Sequence, residues 1–169
     1  MVRHRTAFLT HLAKAVTQLG SGWVVAPIVV ICVAQLLRSR HRRAALVVVV
    51  SSAGAAVLVE IAKRLVGRPR PAIAERLVRA HGLAFPSGHA AQSIACYGAI
   101  AFLAWELGAT RRTRVLAALT AAALAFAVGG SRVYLGVHWP SDVLSGWLLG
   151  AGWLTALIGM SLAIPAHRQ

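Results

Sequence analysis

Residues 131–142, SRVYLGVHWPSD, place a histidine and an aspartate between two long apolar segments. Asp142 is the single aspartate of the chain, and it follows His138 by four positions. A neighbouring carboxylate can orient an imidazole and select its tautomer. Arg132 precedes the histidine by six positions, and its guanidinium suits a phosphate group. The stretch therefore indicates either a phosphate site with an oriented histidine or a polar turn in which Pro140 starts the next helix.

Two further polar clusters contain residue types that bind phosphate. The segment KRLVGRPRP has Lys63 and Arg70 seven positions apart, and phosphate sites combine arginine forks with lysine point charges. PSGHA, at residues 86–90, opens an apolar segment. The backbone N–H groups of Ser87 and Gly88 would then lie at a helix N-terminus, where anions bind. Taken singly, the cations could be anchors at a helix end, and the serine could be an ordinary cap.

The composition of the 169-residue chain is typical of a membrane protein. It is 58% hydrophobic with a mean hydropathy of +0.69, and its apolar residues form long blocks. About 20 apolar residues span a bilayer as a helix. The net charge of +14 does not indicate nucleic acid, because the arginines cluster at the block ends and no basic-plus-aromatic surface is visible. The length predicts a single domain, residues 1–169.

The apolar blocks predict an all-α, integral-membrane bundle. Residues 5–19 should form an N-terminal amphipathic helix, which either lies on the membrane or packs against the bundle. About five spanning helices are expected, near residues 22–38, 44–63, 89–108, 114–131 and 142–164. Because successive helices cross in opposite directions, the connections 63–88 and 131–141 lie on one face of the membrane. All three polar clusters should therefore meet.

The opposite face has two short arginine-rich loops, RSRHRR at 38–43 and TRRTR at 110–114. Short loops rich in Lys and Arg mark the cytoplasmic side of a membrane protein. We therefore expect the polar clusters to face the extracytoplasmic side of the cell membrane.

The scarcity of acidic residues limits the chemistry. The chain has four, Glu60, Glu75, Glu106 and Asp142, whereas Mg²⁺ and two-metal sites need several carboxylates. We therefore expect no metal and no other cofactor, with lysine and arginine neutralising the phosphate instead. The two cysteines lie in apolar blocks and are expected to pack between helices.

The order and spacing of the three clusters resemble the type 2 phosphatidic acid phosphatase (PAP2) superfamily, which also contains vanadium haloperoxidases. The resemblance covers roughly residues 15–163. Lipid phosphatases of that superfamily usually have six spanning helices, so the first is expected to be missing or replaced by residues 5–19. The matching residues are Lys63 and Arg70-Pro71 for the first motif, Pro86-Ser87-Gly88-His89 for the second, and Ser131-Arg132, His138 and Asp142 for the third.

The resemblance implies a phosphatase that works through a phosphohistidine. His138 would be the nucleophile, and Asp142 would orient its ring. His89 would protonate the leaving group and then activate water. Five residues would bind the phosphate: Lys63, Arg70, Ser87, Gly88 and Arg132.

A site at the membrane edge favours a lipid phosphate, because such a substrate can enter laterally from the bilayer. Polyprenyl pyrophosphate, phosphatidic acid, phosphatidylglycerol phosphate and a prenyl-phosphosugar phosphate are the candidates. Residues 73–81 are expected to form a short helix, either a lid that contacts the lipid chain or an ordinary interfacial helix. The alternative functions are a vanadate-dependent oxidase and a non-catalytic membrane scaffold or transporter.

Overall fold

The computed structural model describes residues 5–163, and these residues form α-helices without any strand. The all-α prediction is therefore confirmed, and the six long helices predicted within residues 5–164 are present with ends that differ by at most three residues. The helices are α1 (Ala7–Gln18), α2 (Gly22–Arg38), α3 (Arg42–Val66), α4 (Gly88–Glu106), α5 (Arg111–Tyr134) and α6 (Pro140–Ala163), with a 3-10 turn at Ile73–Glu75.

The central helix of the bundle is α4, which packs against α3, α5 and α6. Small side chains let neighbouring helix backbones approach closely within a membrane, where apolar burial drives association weakly. Cys96 belongs to this buried surface as a free thiol, as expected. The other small buried residues of α4 are Ala90, Ala91, Ser93, Ala95 and Ala99.

Two glycines of α6 bring that helix against the first turns of α4. A Cβ atom at Gly146 would lie 2.5 Å from the carbonyl oxygen of Ser87. A Cβ atom at Gly150 would lie 2.6 Å from the carbonyl oxygen of Ala91. Because Asp142 is one turn before Gly146, this close approach fixes its position relative to the start of α4.

Polar side chains between α3 and α4 are satisfied within the bundle. Ser51 Oγ donates to the carbonyl of Ala95 at 2.8 Å. The Gln92 amide donates to the Ser52 carbonyl at 3.0 Å and accepts from the Ser52 hydroxyl at 3.1 Å. Such pairing is required where water does not reach, and it fixes the register of the two helices.

The outward-facing surface of the bundle is apolar, as expected for helices in lipid. Exposed residues on it include Val30, Leu46, Val57, Leu119 and Leu148. Within residues 5–163, α3, α5 and α6 are long and apolar enough to cross a membrane, and α1 with α2, bent by 43°, can form a fourth crossing. This number is close to the expected five, and the central helix α4 is not among these crossings.

Helix α1 packs against α5, which decides between the two positions that the sequence allowed. Its buried residues are Ala13 and Thr17. Its larger apolar residues, Phe8, Leu9 and Leu12, are exposed on the outer side. The helix therefore uses its small residues to pack on the bundle and directs its apolar stripe away from it.

The contact between α6 and α4 predicts opposite effects for two glycines of α6. Gly150→Ala should destabilise the protein by about 1–3 kcal/mol, because the added methyl group meets backbone that cannot move freely. Gly152 has open space around its Cα, so Gly152→Ala should be neutral or stabilising by up to about 1 kcal/mol, as alanine favours helix. Thermal unfolding in detergent measures both, and equal effects of the two substitutions would contradict this packing.

Candidate active site

The polar connections meet at one end of the bundle, as the helix order predicted. Arg70 Nη1 donates to the carbonyl of Val137 at 2.8 Å. The backbone N–H of Leu77 donates to the carbonyl of Leu135 at 3.0 Å. These bonds join the segment after α3 to the turn between α5 and α6.

The turn from α5 to α6 is held rigidly. Leu135 and Val137 are fully buried, and Gly136 between them has a φ of +71°. A Cβ atom at this glycine would collide with the carbonyl oxygen of Glu75, so both its backbone angle and its surroundings favour glycine. His138 follows directly and is only 3% exposed.

The hydrogen bond between Arg70 and His138 determines the tautomer of the imidazole. Arg70 Nη1 lies 2.9 Å from His138 Nε2. A guanidinium has donors and no acceptor, so Nε2 must present its lone pair. The ring proton then lies on Nδ1, the nitrogen on the side of Asp142.

Asp142 is fully buried and held from several directions. Its Oδ2 lies 3.5 Å from His138 Nδ1 and accepts from the backbone N–H of Trp139 at 2.9 Å. Its Oδ1 accepts from Arg68 Nη1 at 3.0 Å. The distance to Nδ1 exceeds that of an ordinary hydrogen bond, so the contact is an electrostatic one in this structure.

The imidazole of His138 is held in its neutral form. Burial lowers its pKa below the ordinary value, and the charges of Arg70 and Arg132 lower it further. At neutral pH the ring therefore keeps the Nε2 lone pair, which is the form that a nucleophile or base requires.

A cavity of about 450 Å³ lies in front of these groups. Six of the predicted site residues line it: Lys63, Arg70, Gly88, His89, Arg132 and His138. Among the described residues no acidic side chain contributes to its wall. The structure thus brings together cations, two imidazoles and a helix N-terminus.

Two predicted site residues, Ser87 and Asp142, are fully buried and are not among the residues that line this cavity. The Ser87 backbone N–H donates to the Asp142 carbonyl at 2.8 Å. Its hydroxyl has no hydrogen-bond partner within residues 5–163. Ser131 is also buried and donates its hydroxyl to Val128 in α5.

Arg132 depends on a residue that the sequence motifs did not indicate. Its side chain is 6% exposed, and its Nη1 donates to Thr17 Oγ1 at 2.9 Å. Thr17 belongs to α1, outside the three motifs. Thr17 lies one turn after Ala13, on the face of α1 that has small residues. This position was the feature of the sequence that could have indicated its contact with the bundle.

Arg68 is the second residue that the motif analysis missed. Besides Asp142, its Nη1 donates to Ser141 Oγ at 2.8 Å. Its guanidinium lies over the ring of Phe85, 5.0 Å from the centroid. Arg68 lies in the arginine-rich segment before Arg70, which indicated a possible role in the site. The spacing alone could not distinguish such a role from that of an arginine that anchors the helix end in the membrane.

The segment 73–81 is not the short helix that we expected. Only Ile73–Glu75 is helical, as a 3-10 turn, because the rest of the segment packs on α1 and the turn after α5. Leu77, Val78 and Ala80 contact the cluster around Leu135. Residues 78–81 then form part of the cavity wall.

The cavity does not have the residues of a metal centre. Within residues 5–163, no group of three or more His, Cys, Asp and Glu side chains is arranged to hold an ion. The cations of the wall match the chemistry of a phosphate group instead.

Comparison with known proteins identifies the family. The family model described as PAP2 superfamily matches residues 44–164, which include all three motifs. The chain belongs to the PAP2 superfamily. As a PAP2 protein with apolar, membrane-spanning helices it is an integral-membrane phosphatase, so the predicted enzyme class is confirmed.

Two relatives cover most of this PAP2 chain. Phosphatidylglycerophosphatase B of Bacillus subtilis is 31% identical over 166 residues, which are 98% of this chain and 81% of the relative. Undecaprenyl-diphosphatase of Sulfolobus acidocaldarius is 30% identical over 159 residues, 91% of this chain and 71% of the relative.

Solved structures show the same fold. The transmembrane PAP2-type phosphatidylglycerolphosphate phosphatase of Bacillus subtilis matches with a TM-score of 0.91 and 30% identity, over 99% of this chain and 83% of that one. LpxE of Aquifex aeolicus matches with a TM-score of 0.74 and 26% identity, over 94% of this chain and 90% of that one. The bundle is therefore that of membrane PAP2 phosphatases.

The contact between Arg68 and Asp142 predicts an effect on activity. Arg68→Gln should lower kcat about tenfold, the loss expected for one charge-assisted hydrogen bond, because the carboxylate is no longer fixed beside His138. Arg64→Gln is the matched control, since Arg64 is exposed and pairs with Glu60 one turn earlier in α3. Phosphate release from a lipid phosphate measures both, and equal activities would mean that Arg68 does not position Asp142.

Proposed function

We propose that this PAP2 phosphatase hydrolyses a phosphomonoester or pyrophosphate of a lipid through a phosphohistidine intermediate, without a metal ion. The observation that carries the proposal is the position of His138. Its Nε2 lies 2.9 Å from Arg70 Nη1 in the cavity, and its Nδ1 lies 3.5 Å from Asp142 Oδ2. A nucleophilic imidazole needs this arrangement.

In the first step, the phosphate binds between Lys63, Arg70 and Arg132, with the N–H groups at the start of α4 behind it. The Arg70 N–H that donates to His138 Nε2 then donates to a phosphate oxygen instead. Nε2 then attacks phosphorus, and an N–P bond forms while the O–P bond to the leaving group breaks. His89, which lines the same cavity, gives its proton to the leaving oxygen.

The phosphorylated imidazole is cationic, and Asp142 stabilises it. The carboxylate is already fixed by Arg68 and the Trp139 N–H, so little reorganisation is needed as the charge develops. In the second step, His89 takes a proton from water, and this water attacks phosphorus. The N–P bond breaks and inorganic phosphate leaves.

Ser87 and Gly88 complete the phosphate site at the N-terminus of α4. Gly88 lies on the cavity wall, and N–H groups at a helix N-terminus favour an anion. The buried Ser87 hydroxyl is without a partner among residues 5–163. It is a donor for a phosphate oxygen that reaches the base of the cavity.

Charge neutralisation by Lys63, Arg70 and Arg132 replaces a metal ion in this proposal. Three cations around one phosphate supply the electrostatic stabilisation that Mg²⁺ provides elsewhere. Activity should accordingly be retained in excess EDTA.

The substrate is a lipid because the cavity lies at the end of a bundle whose sides are apolar. The two relatives are named for a phosphatidylglycerol phosphate and an undecaprenyl diphosphate. Both substrates, together with phosphatidic acid and a prenyl-phosphosugar phosphate, present a phosphate that is attached to a membrane-anchored chain.

The roles of the two histidines can be separated with two leaving groups. His138→Ala should abolish the burst of released leaving group on every substrate, because the nucleophile is lost. His89→Ala should lose roughly 10²–10⁴-fold in burst rate on a lipid phosphate, the usual contribution of a general acid. It should be largely spared on para-nitrophenyl phosphate, because phenolate leaves without a proton.

Rapid-quench measurement of burst amplitude and rate tests these roles in excess EDTA. A burst in His138→Ala would exclude this residue as the nucleophile. Equal losses on both substrates in His89→Ala would exclude it as the general acid. Loss of all activity in EDTA, restored by Mg²⁺, would contradict the metal-free mechanism.

We further propose that the protein lies in the cell membrane with its cavity on the extracytoplasmic side. The arginine-rich loops 38–43 and 110–114 support this orientation, since short basic loops stay in the cytoplasm.

Labelling tests the orientation, using Ala74→Cys and His41→Cys as single cysteines after replacement of Cys32 and Cys96. Ala74 and His41 are exposed. A membrane-impermeant thiol reagent on intact cells should label position 74 and leave position 41 unlabelled. The reverse pattern would place the cavity in the cytoplasm.

A further inference from the structure

The cavity contains more positive charge than one phosphate needs. Its wall has five Lys and Arg residues, and no acidic side chain of the described residues offsets them. Lys63, Arg70 and Arg132 suffice for a phosphate dianion that His138 attacks. The wall also contains Lys14, Arg79 and His81, which have no role in the reaction proposed above.

The two sets of basic residues differ in depth. Arg132 and His138 are almost completely buried, so the inner set surrounds the base of the cavity. Lys14, Arg79 and His81 are all exposed residues that nevertheless line it. They therefore lie at its mouth, on the path between the reacting phosphate and the solvent or lipid outside.

The mouth is built on fixed backbone. Arg76 donates to the carbonyls of Pro71 and Ala80, and Arg70 Nε lies 3.2 Å from the carbonyls of His81 and Gly82. Because the backbone N–H of Leu77 also donates to the carbonyl of Leu135, the backbone is held on both sides of Arg79.

Helix α1 supports the other side of the mouth. Ala13, next to Lys14, is buried in a cluster with Leu135 and Val137. Packing of Leu77, Val78 and Ala80 on the same cluster joins the two sides.

We propose that Lys14, Arg79 and His81 form a second-phosphate subsite, which binds a phosphate of the substrate other than the one that is hydrolysed. This inference rests on the proposed function, because it assumes that the reacting phosphate binds at His138. In a lipid diphosphate, the terminal phosphate reaches the base of the cavity and the inner phosphate lies at the mouth. In phosphatidylglycerol phosphate, the phosphodiester occupies the same position. Phosphatidic acid has no second phosphate to place there.

Matched pairs of lipids test the subsite. Farnesyl diphosphate and farnesyl phosphate share a chain and differ in the second phosphate. Phosphatidylglycerol phosphate and phosphatidic acid with the same acyl groups differ in the second phosphate and in the glycerol that joins the two phosphates. Initial phosphate release from the purified full chain in detergent gives kcat/KM for each lipid. The wild type should prefer the two-phosphate member of at least one pair.

The decisive variants are Lys14→Gln, Arg79→Gln and the double variant. Each single substitution should lower kcat/KM for the two-phosphate lipid about tenfold, as expected for the loss of one charge-assisted contact, and leave the monophosphate within about twofold. The double variant should lose the preference altogether. Lys14→Arg should retain it, because the charge is kept.

Arg64→Gln is the control for a general loss of positive charge. Arg64 also lies at the end of α3 but pairs with Glu60 and is absent from the cavity wall. Arg64→Gln should change kcat/KM by the same factor for both members of a pair. If the Lys14 and Arg79 variants lose the preference for two phosphates only in the farnesyl pair, the subsite binds an anhydride-linked phosphate. If they lose it only in the phospholipid pair, the subsite binds a phosphodiester.

The failures are distinguishable. If the Lys14 and Arg79 variants lower kcat/KM equally for both members of each pair, or do not lower it, the subsite is overturned and the phosphatase proposal is unaffected. A wild type without activity on any of the four lipids would instead refute the proposed function itself.

Discussion

Two arginines of this cavity, Arg70 and Arg132, are held in place by neutral groups, and the chemistry proposed for the site depends on this arrangement. Arg70 is held by backbone carbonyls, among them that of Val137, and Arg132 by the hydroxyl of Thr17. Carboxylates would hold the same guanidiniums more strongly, but they would cancel the charge that a phosphate must meet. The carboxylate beside His138, that of Asp142, is fully buried and is satisfied by Arg68 and a backbone N–H. The fold thus separates the positive charge that faces the substrate from the negative charge that supports the histidine.

This separation requires precise helix placement, which small residues provide. Gly146 and Gly150 bring α6 against α4, so that Asp142 and Ser87 lie together. Thr17 and Ala13 bring α1 against α5, so that a hydroxyl reaches Arg132. Large apolar side chains such as Phe8 of α1 and Leu148 of α6 are exposed on the outer side, and the two contacts rely on close backbone approach.

Much of this arrangement could be predicted from the sequence, because apolar blocks and the order of polar clusters constrain a membrane bundle strongly. They predicted the helices, the shared face of the two long connections and the cavity-lining residues of the three motifs. The 73–81 segment was not predictable, since its conformation depends on tertiary packing against Leu135 and on backbone bonds from Arg70 and Arg76. Thr17 and Lys14 were missed for a related reason. They belong to a helix that looks like a surface helix until its partner, α5, is known.

The central claim is that His138 carries the phosphoryl group during turnover. The direct measurement is acid-free quenching of the enzyme during turnover of a ³²P-labelled lipid phosphate or aryl phosphate. The labelled peptide is then mapped by mass spectrometry at alkaline pH, where phosphohistidine persists. The account predicts a phosphate on His138 that accumulates in His89→Ala with an aryl phosphate as substrate and is absent from His138→Ala. A phosphate on His89, or turnover without any phosphoenzyme, would contradict it.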